Sequence, residues 1–434
     1  VEGCAEGHEG VLCASCAASF FASVDGSCQS CGSSADTALR VVGLVVLFAV
    51  LLGVLLVRAY KSAGEGSSGV VRTLKIVFNH FQTIAIIASI GFQWPSFLRS
   101  AFTVSTAASS FTVEGVSLEC VMGSAARDPL ERSLVMLSMP VWLLAYAAVF
   151  WVVEASVDVA SAAGHVGSAL TGRSSRNLLQ RSAPLGSRRH TVVATKHGSA
   201  WGRWVRRMKV SVPVLIFLVH TSVTKAAFQM VTCENVAPDD DPSNTQLRLS
   251  MSLDTRCDDP SALRWMIGVA VPVLVLFSVG VPIATILTIG RFRARLGEPE
   301  IKRLFGFLFF GFRARYEWWE GVNVLRKVLL AGVTVVLGPF GAFNQVGAAL
   351  LVILCFMAAH AWYRPYTDAR FNRLEMASLL ASCVTMIAGL FIEGSGSEAV
   401  AMFVAPAAIF VANLVFLALV GWQFGVVVRS STIQ

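Results

Sequence analysis

The sequence predicts an all-α polytopic membrane protein, with about nine transmembrane helices behind a small disulfide-rich extracellular N-terminal module. Composition is the first observation: 55% of the residues are hydrophobic, 14% are charged and mean hydropathy is +0.65. Soluble domains carry about 25% charged residues, so this chain has too little polar surface to cover a globule in water. Second, several apolar runs approach the roughly 20 residues of helix needed to cross a hydrocarbon core about 30 Å thick. Third, cysteines and charges segregate between alternating loops, as compartment chemistry and the translocation cost of Arg and Lys require.

The module occupies residues 1–36 and holds Cys4, Cys13, Cys16, Cys28 and Cys31. Two readings compete for it. Cys13/Cys16 and Cys28/Cys31 form two Cys-x-x-Cys pairs, as in a zinc ribbon, but only eleven residues separate them, which is short for the four-thiolate pattern. An oxidising exterior is also a poor place to keep four thiolates, so disulfides are preferred and no metal is expected. Cys120, Cys233 and Cys257 fall in other expected outer loops, Cys355 and Cys383 fall within spans, and no cysteine falls in an expected inner loop. Connectivity does not follow from spacing. The preferred scheme is Cys4–Cys13, Cys16–Cys28 and Cys31–Cys120, with Cys233–Cys257 closing an acidic loop. The chain opens at Val1 with no basic segment or cleavage site before the cysteines, so it is expected to be a piece of a longer protein.

Spans are expected near 37–57, 71–93, 134–153, 210–231, 265–289, 322–337, 346–362, 374–392 and 399–427. They group as three spans within 37–155, with an extracellular loop at 96–133, and two within 209–290, with an acidic extracellular loop at 232–264. The remaining four lie within 321–434. Between them lie a basic cytosolic linker, 156–208, and a cytosolic interfacial helix, 291–320. No acidic residue occurs between Asp158 and Glu234, whereas Asp239, Asp240, Asp241, Asp254, Asp258 and Asp259 cluster between the fourth and fifth spans. Nine alternating spans put basic loops on one face and acidic loops on the other. The positive-inside rule then gives an extracellular N-terminus and a cytosolic C-terminus. Within the linker, residues 160–200, rich in Ser, Gly, Arg and Ala, read as disordered and suited to anionic inner-leaflet lipids. The segment "EIKRLFGFLFFGFRARYEWWEG" reads as an amphipathic helix lying in the interface and turning upward near Trp318.

Ionisable groups inside spans are functional candidates because burial in lipid is costly. Lys75, Asn79 and Gln82 share a stripe of the second span, and His220 and Lys225 lie in the fourth, so these five form a candidate ion pathway. The competing readings are a structural hydrogen-bonded interface for the stripe and snorkelling for Lys225. Glu317, Glu320, Arg326 and Lys327 enter the sixth span at helical spacing and Glu375 opens the eighth, as a candidate inner-leaflet polar network.

The spacing Cys-x8-Cys-x2-Cys-x11-Cys-x2-Cys, with Gly7 and Gly10 before "LCASC", resembles EGF-like or ephrin-receptor-like modules that precede multi-pass domains in very large algal and protist surface proteins. The blocks "FNHFQTIAIIASIGFQWP", "LFGFLFFGFRARYEWWEGVNVLRK" and "WYRPYTDARFNRLE" look like recurrent parts of that membrane region. Together with the span arrangement they resemble the fungal transient-receptor-potential-like family, which implies a plasma-membrane sensor or cation channel. One departure bears on mechanism. The links "EGSGSE" and "GPFGAFN" between late spans are too short for a pore helix and filter, so any ion path is expected in a groove between helices.

No His-Glu-x-x-His, Gly-x-Ser-x-Gly or Walker pattern occurs, so no enzyme and no cofactor are expected. The expected partners are the lipid bilayer and a large extracellular protein or matrix; nucleic acid is not expected. Two functions follow as expectations: a channel-like mechanosensory protein, or a non-conducting anchor or adhesion receptor.

Overall fold

The computed structural model describes residues 4–22, 28–31, 34–62, 69–92, 94–110, 120, 129–172, 200–237, 245–394 and 399–432. In the N-terminal module, β1 (His8–Glu9) pairs antiparallel with β2 (Ser15–Cys16), and β3 (Phe20–Ala22) with β4 (Cys28–Ser30). Strands this short bury almost nothing by themselves, so cross-links supply the stability a core cannot. The cysteines join as Cys4–Cys13, Cys16–Cys28, Cys31–Cys120 and Cys233–Cys257, the pairs of the preferred scheme. The two Cys-x-x-Cys pairs therefore do not converge on a shared metal position.

Apolar runs make the helices. They are α1 (Ser34–Ser62), α2 (Gly69–Ala88), α3 (Ser96–Ser110), α4 (Pro129–Gly172) and α5 (Ala200–Gln229). An antiparallel sheet follows, in the order β5 (Cys233–Val236), β6 (Gln246–Leu249), β7 (Ser252–Arg256). Then α6 (Pro260–Trp265) runs through π-helical turns Met266–Ala270 and Val273–Val279 into α7 (Gly280–Phe292). Pro272 sits between those turns; it lacks an amide hydrogen and clashes with a regular α-ladder, which the wider turns relieve. The chain ends with α8 (Pro299–Phe309), α9 (Trp319–Val336), α10 (Ala342–Tyr363), α11 (Ala369–Gly394) and α12 (Ala405–Thr432).

Among the described residues, eight helices are long and apolar enough to cross a bilayer. The expected sixth span forms α9, whose 18 residues include Glu320, Arg326 and Lys327. Those three charges set it apart from the eight, although at 1.5 Å per residue it reaches about 27 Å. The packing is reversed from that of a soluble protein. Lys327 is 1% exposed whereas Leu276 is 74% exposed, and Val42, Val45, Val46 and Val411 also face outward. Hydrocarbon as solvent favours that arrangement, because apolar side chains lose nothing by facing it and charges must find protein partners.

Several sequence expectations need correction. The loop 96–133 contains α3, because Leu98 and Phe102 are apolar enough to join the core, with Trp94 edge-on to Phe92 and Phe102 at 5.1 and 5.0 Å. Within the acidic loop 232–264 the described residues pair as the three-stranded sheet. The stretch 160–200, expected to be disordered, is helical where it begins. α4 continues to Gly172 and α5 begins at Ala200, while 173–199 lie outside the described residues. The interfacial segment 291–320 is not one helix: Pro299–Phe309 forms a separate α-helix between the end of α7 and the start of α9.

The turns after α8 and α10 meet. Arg364, at φ 43°, ends α10; Phe312 then pairs with Tyr366, and the Arg313 amide donates to the Pro365 carbonyl at 2.8 Å. Two of the sequence blocks singled out above are thus one structural unit. The β5 strand touches the turn Gly338–Phe340 after α9. The sheet therefore lies at the end of α9, and the Phe312–Tyr366 unit lies at the opposite end of the bundle.

Candidate functional site

On α2, steps of four and three residues place Lys75, Asn79 and Gln82 on one face. That face packs against α9, whose Glu320 and Lys327 lie two turns apart. The Lys75 Nζ is 2.8 Å from Glu320 Oε2 and donates to the Phe307 carbonyl of α8, also at 2.8 Å. It lies 4.8 Å from the centre of the Phe307 ring. One turn deeper, Lys327 Nζ donates to Asn79 Oδ1 at 3.2 Å and to Gln82 Oε1 at 2.8 Å, and stands 4.6 Å over the Phe217 ring. The Gln82 amide then donates to the Leu218 carbonyl at 3.1 Å, tying in α5. On the other side of α9, Arg326 donates through both terminal nitrogens to Glu375 Oε1 of α11 at 3.0 Å.

All five charged groups are within 7% of complete burial: three cations, Lys75, Arg326 and Lys327, against two anions, Glu320 and Glu375. The unmatched cation is Lys327, which is held by amide oxygens and an aromatic face. An ammonium at a hydrocarbon helix centre costs about 2.5–3.5 kcal/mol on insertion scales. Oriented carbonyl dipoles and a cation–π contact of up to about 2 kcal/mol are what offset it here. Several polar atoms in the layer remain without hydrogen bonds: Glu320 Oε1, Asn323 Nδ2, Glu375 Oε2 and Arg326 Nε.

The two sequence-predicted sets therefore merge. Lys75, Asn79 and Gln82 bond to Glu320 and Lys327, and Arg326 bonds to Glu375. Other candidates stay outside. Glu317 lies in the turn before α9, half-buried, and partial burial raises its carboxyl above the usual range while Arg293 opposes the shift. His220 donates to the Ser278 carbonyl at 3.2 Å, beside the π-helical turn. Lys225 is half-buried and has no hydrogen bond or ion pair among the described residues. No hydrogen bond or ion pair among the described residues joins Lys225 to the α2 stripe, whereas His220 borders the same cavity as Glu320. A cavity of about 160 Å³ lies beside Glu320 and His220, walled mainly by Phe217, Phe305, Leu308 and Val324.

One part of the layer was missed from sequence. His80 Nδ1 meets Ser378 Oγ at 3.1 Å and its Nε2 meets Asn413 Oδ1 at 3.0 Å, while Asn413 donates to Thr385. The available signal was Asn413 itself, an amide near the middle of the long apolar run of α12.

The module is seated on the membrane domain. The Val11 amide donates to Asp254 Oδ1 at 2.8 Å, and Ser15 Oγ donates to Asp254 Oδ2 at 2.5 Å. Gly10 lies at φ 82°, and a Cβ there would come 2.7 Å from the Asp254 carboxylate, so both the turn and the contact require glycine. Asp254 belongs to β7, in the sheet closed by Cys233–Cys257. The module thus has a hydrogen-bonded seat on that sheet and a covalent tie through Cys31–Cys120.

A stretch of 230 residues is 26% identical to "Cysteine repeat modular protein A" of Toxoplasma gondii, covering 49% of this chain. The match spans only 7% of that protein's length. No family model matches the chain, and no solved structure matches it. The architecture is that of a membrane protein bearing a cysteine-rich, disulfide-bonded module, and the likeness to a cysteine-repeat protein fits that module.

Proposed function

We propose that the chain is a plasma-membrane anchor that holds an extracellular cysteine-rich assembly to the bilayer and transmits load from it into the helix bundle. The carrying observation is that the polar stripe suited to an ion path is consumed by partners: Lys75 by Glu320, and Asn79 and Gln82 by Lys327. A conducting path needs such groups to face water, whereas an anchor needs them to lock α2, α5, α9 and α11 together. The seat of the module on Asp254 supports the same reading, because load on the module reaches the sheet and the helices that carry it.

In this reading α9 is a ninth span, the N-terminus is extracellular, the C-terminus is cytosolic, and the chain is not an enzyme. The partners are the bilayer, anionic inner-leaflet lipids and a large extracellular protein or matrix. The resemblance to EGF-like modules and to the transient-receptor-potential-like family enters here as analogy of architecture. The channel-like reading keeps one specific observation in its favour, the cavity between Glu320 and His220. For that cavity to extend into a path, the Lys75–Glu320 pair must open.

Recording from the purified chain in planar bilayers, under voltage and under tension, separates the two. The expected result is silence from protein whose disulfides are verified as native. Reproducible unitary currents that Glu320→Gln alters would establish conduction and remove the anchor reading.

A further inference from the structure

At the end of the bundle opposite the sheet, the first turns of α11 and the last turns of α12 enclose a cleft of about 170 Å³. Arg370, Arg373, Leu374, Leu419, Trp422 and Gln423 line it. Gln423 is 4% exposed, and its amide nitrogen has no hydrogen-bond partner. A buried N–H donor without an acceptor is costly, so the site is built for an acceptor that the chain itself does not supply. Arg373 is exposed and has no partner among the described residues, because Glu375 is engaged by Arg326 instead. Arg370 is held by Asp368 at 2.6 Å. The polar side of the cleft therefore offers donors and positive charge, reinforced by the positive end of the α11 dipole.

The remaining walls decide the class of ligand. Leu374 is buried, whereas Leu419 and Trp422 are 37% and 64% exposed on the bundle surface and form the cleft's outer apolar rim. A Trp beside arginines at a helix end is the composition of a headgroup boundary. A free anion would gain nothing from those apolar walls. A phosphate carried on a glycerol backbone would use both halves: guanidinium and amide donors for its oxygens, Leu and Trp for the first methylenes.

We propose that this cleft binds the headgroup of an anionic phospholipid, with Arg373 and the Gln423 amide donating to the phosphate and Trp422 packing on the glyceride. The site is separate from the buried charge layer and is independent of whether the bundle anchors or conducts.

The test uses the full chain in detergent, titrated with dioctanoyl phosphatidic acid and followed by thermophoresis. Dioctanoyl phosphatidylcholine and inorganic phosphate serve as comparison ligands. Phosphatidic acid is expected to bind, and Arg373→Ala to weaken it about tenfold or more, the effect of losing one charge-assisted donor. Gln423→Leu weakens it as well, Arg373→Lys gives an intermediate loss, and Arg429→Ala, beyond the cleft on α12, leaves it unchanged. Asp368→Asn keeps a helix cap but releases Arg370, so it tightens binding. Equal binding of phosphatidylcholine overturns the proposal, as does inorganic phosphate competing at the same concentration, which would make this a free-anion site. Wild-type affinity in both Arg373→Ala and Gln423→Leu overturns it too. If Arg373→Ala does not fold, Gln423→Leu and Arg373→Lys decide the matter.

Discussion

Lys327 of α9 places its ammonium 2.8 Å from Gln82 Oε1 and 3.2 Å from Asn79 Oδ1 of α2, with no carboxylate bonded to it. An ammonium solvated by two amides and a phenyl ring is a specificity device at a cost in stability: it dictates which faces of α2 and α9 meet, while hydrocarbon there would be cheaper. Its neighbours Lys75–Glu320 and Arg326–Glu375 are true ion pairs, so the consequences of mutation differ among the three cations.

Replacing Lys327 by Met keeps the volume and removes the unmatched charge. Its thermal midpoint in detergent is expected to equal or exceed that of the wild type. A large loss would show that the ammonium contributes net stability.

Glu375→Ala strands the Arg326 guanidinium and is expected to cost about 3–5 kcal/mol, the usual penalty for an uncompensated buried charge. The double replacement Arg326→Met with Glu375→Met should restore most of it. Additive losses in the two single variants and the double one would mean that the side chains act through packing rather than as a pair.

Asp254→Ala removes both acceptors that seat the module. Amide exchange at Val11 is expected to rise, while peptide mapping still recovers Cys31 joined to Cys120. Unchanged protection at Val11 would show that the disulfide tie alone holds the module in place.

Lys225→Ala should shift unfolding by no more than about 0.5 kcal/mol, as for a surface substitution away from any partner. A loss of several kcal/mol would reveal an interaction that its half-buried position conceals.

Asp368 caps α11 by accepting from the Arg370 amide at 2.9 Å, and the bond from the Arg370 side chain holds its carboxyl below the usual range. A lowered native value means that the stabilisation is present at neutral pH and lost as pH falls through that lowered value. Asp368→Ala should therefore be about 1 kcal/mol less stable at pH 7, and the difference should vanish in acid. A difference that persists at low pH would assign the effect to the backbone turn instead.

Membrane character, the order of apolar helices and the grouping of the outer cysteines were legible because each rests on local composition or on compartment chemistry. Hydropathy runs need no tertiary knowledge, and a cysteine's redox setting follows from which loops share a side. The α3 helix and the three-stranded sheet were not legible. Their segments are short, and what stabilises them is contact beyond the segment itself: Leu98 and Phe102 with the core, and Glu234 opposite Arg248 in a ladder between neighbouring strands that Cys233–Cys257 closes.

For the charge layer, the sequence by itself determined which residues had to find partners, since Lys75, Glu320, Arg326, Lys327 and Glu375 cannot stay unpaired in hydrocarbon. Helical spacing also determined that Lys75, Asn79 and Gln82 act as one face. Only the tertiary structure decided who pairs with whom. Pairing depends on the rotation and depth of α2, α9 and α11 relative to one another. Those are set by the summed packing of many apolar side chains, which no single segment of sequence contains.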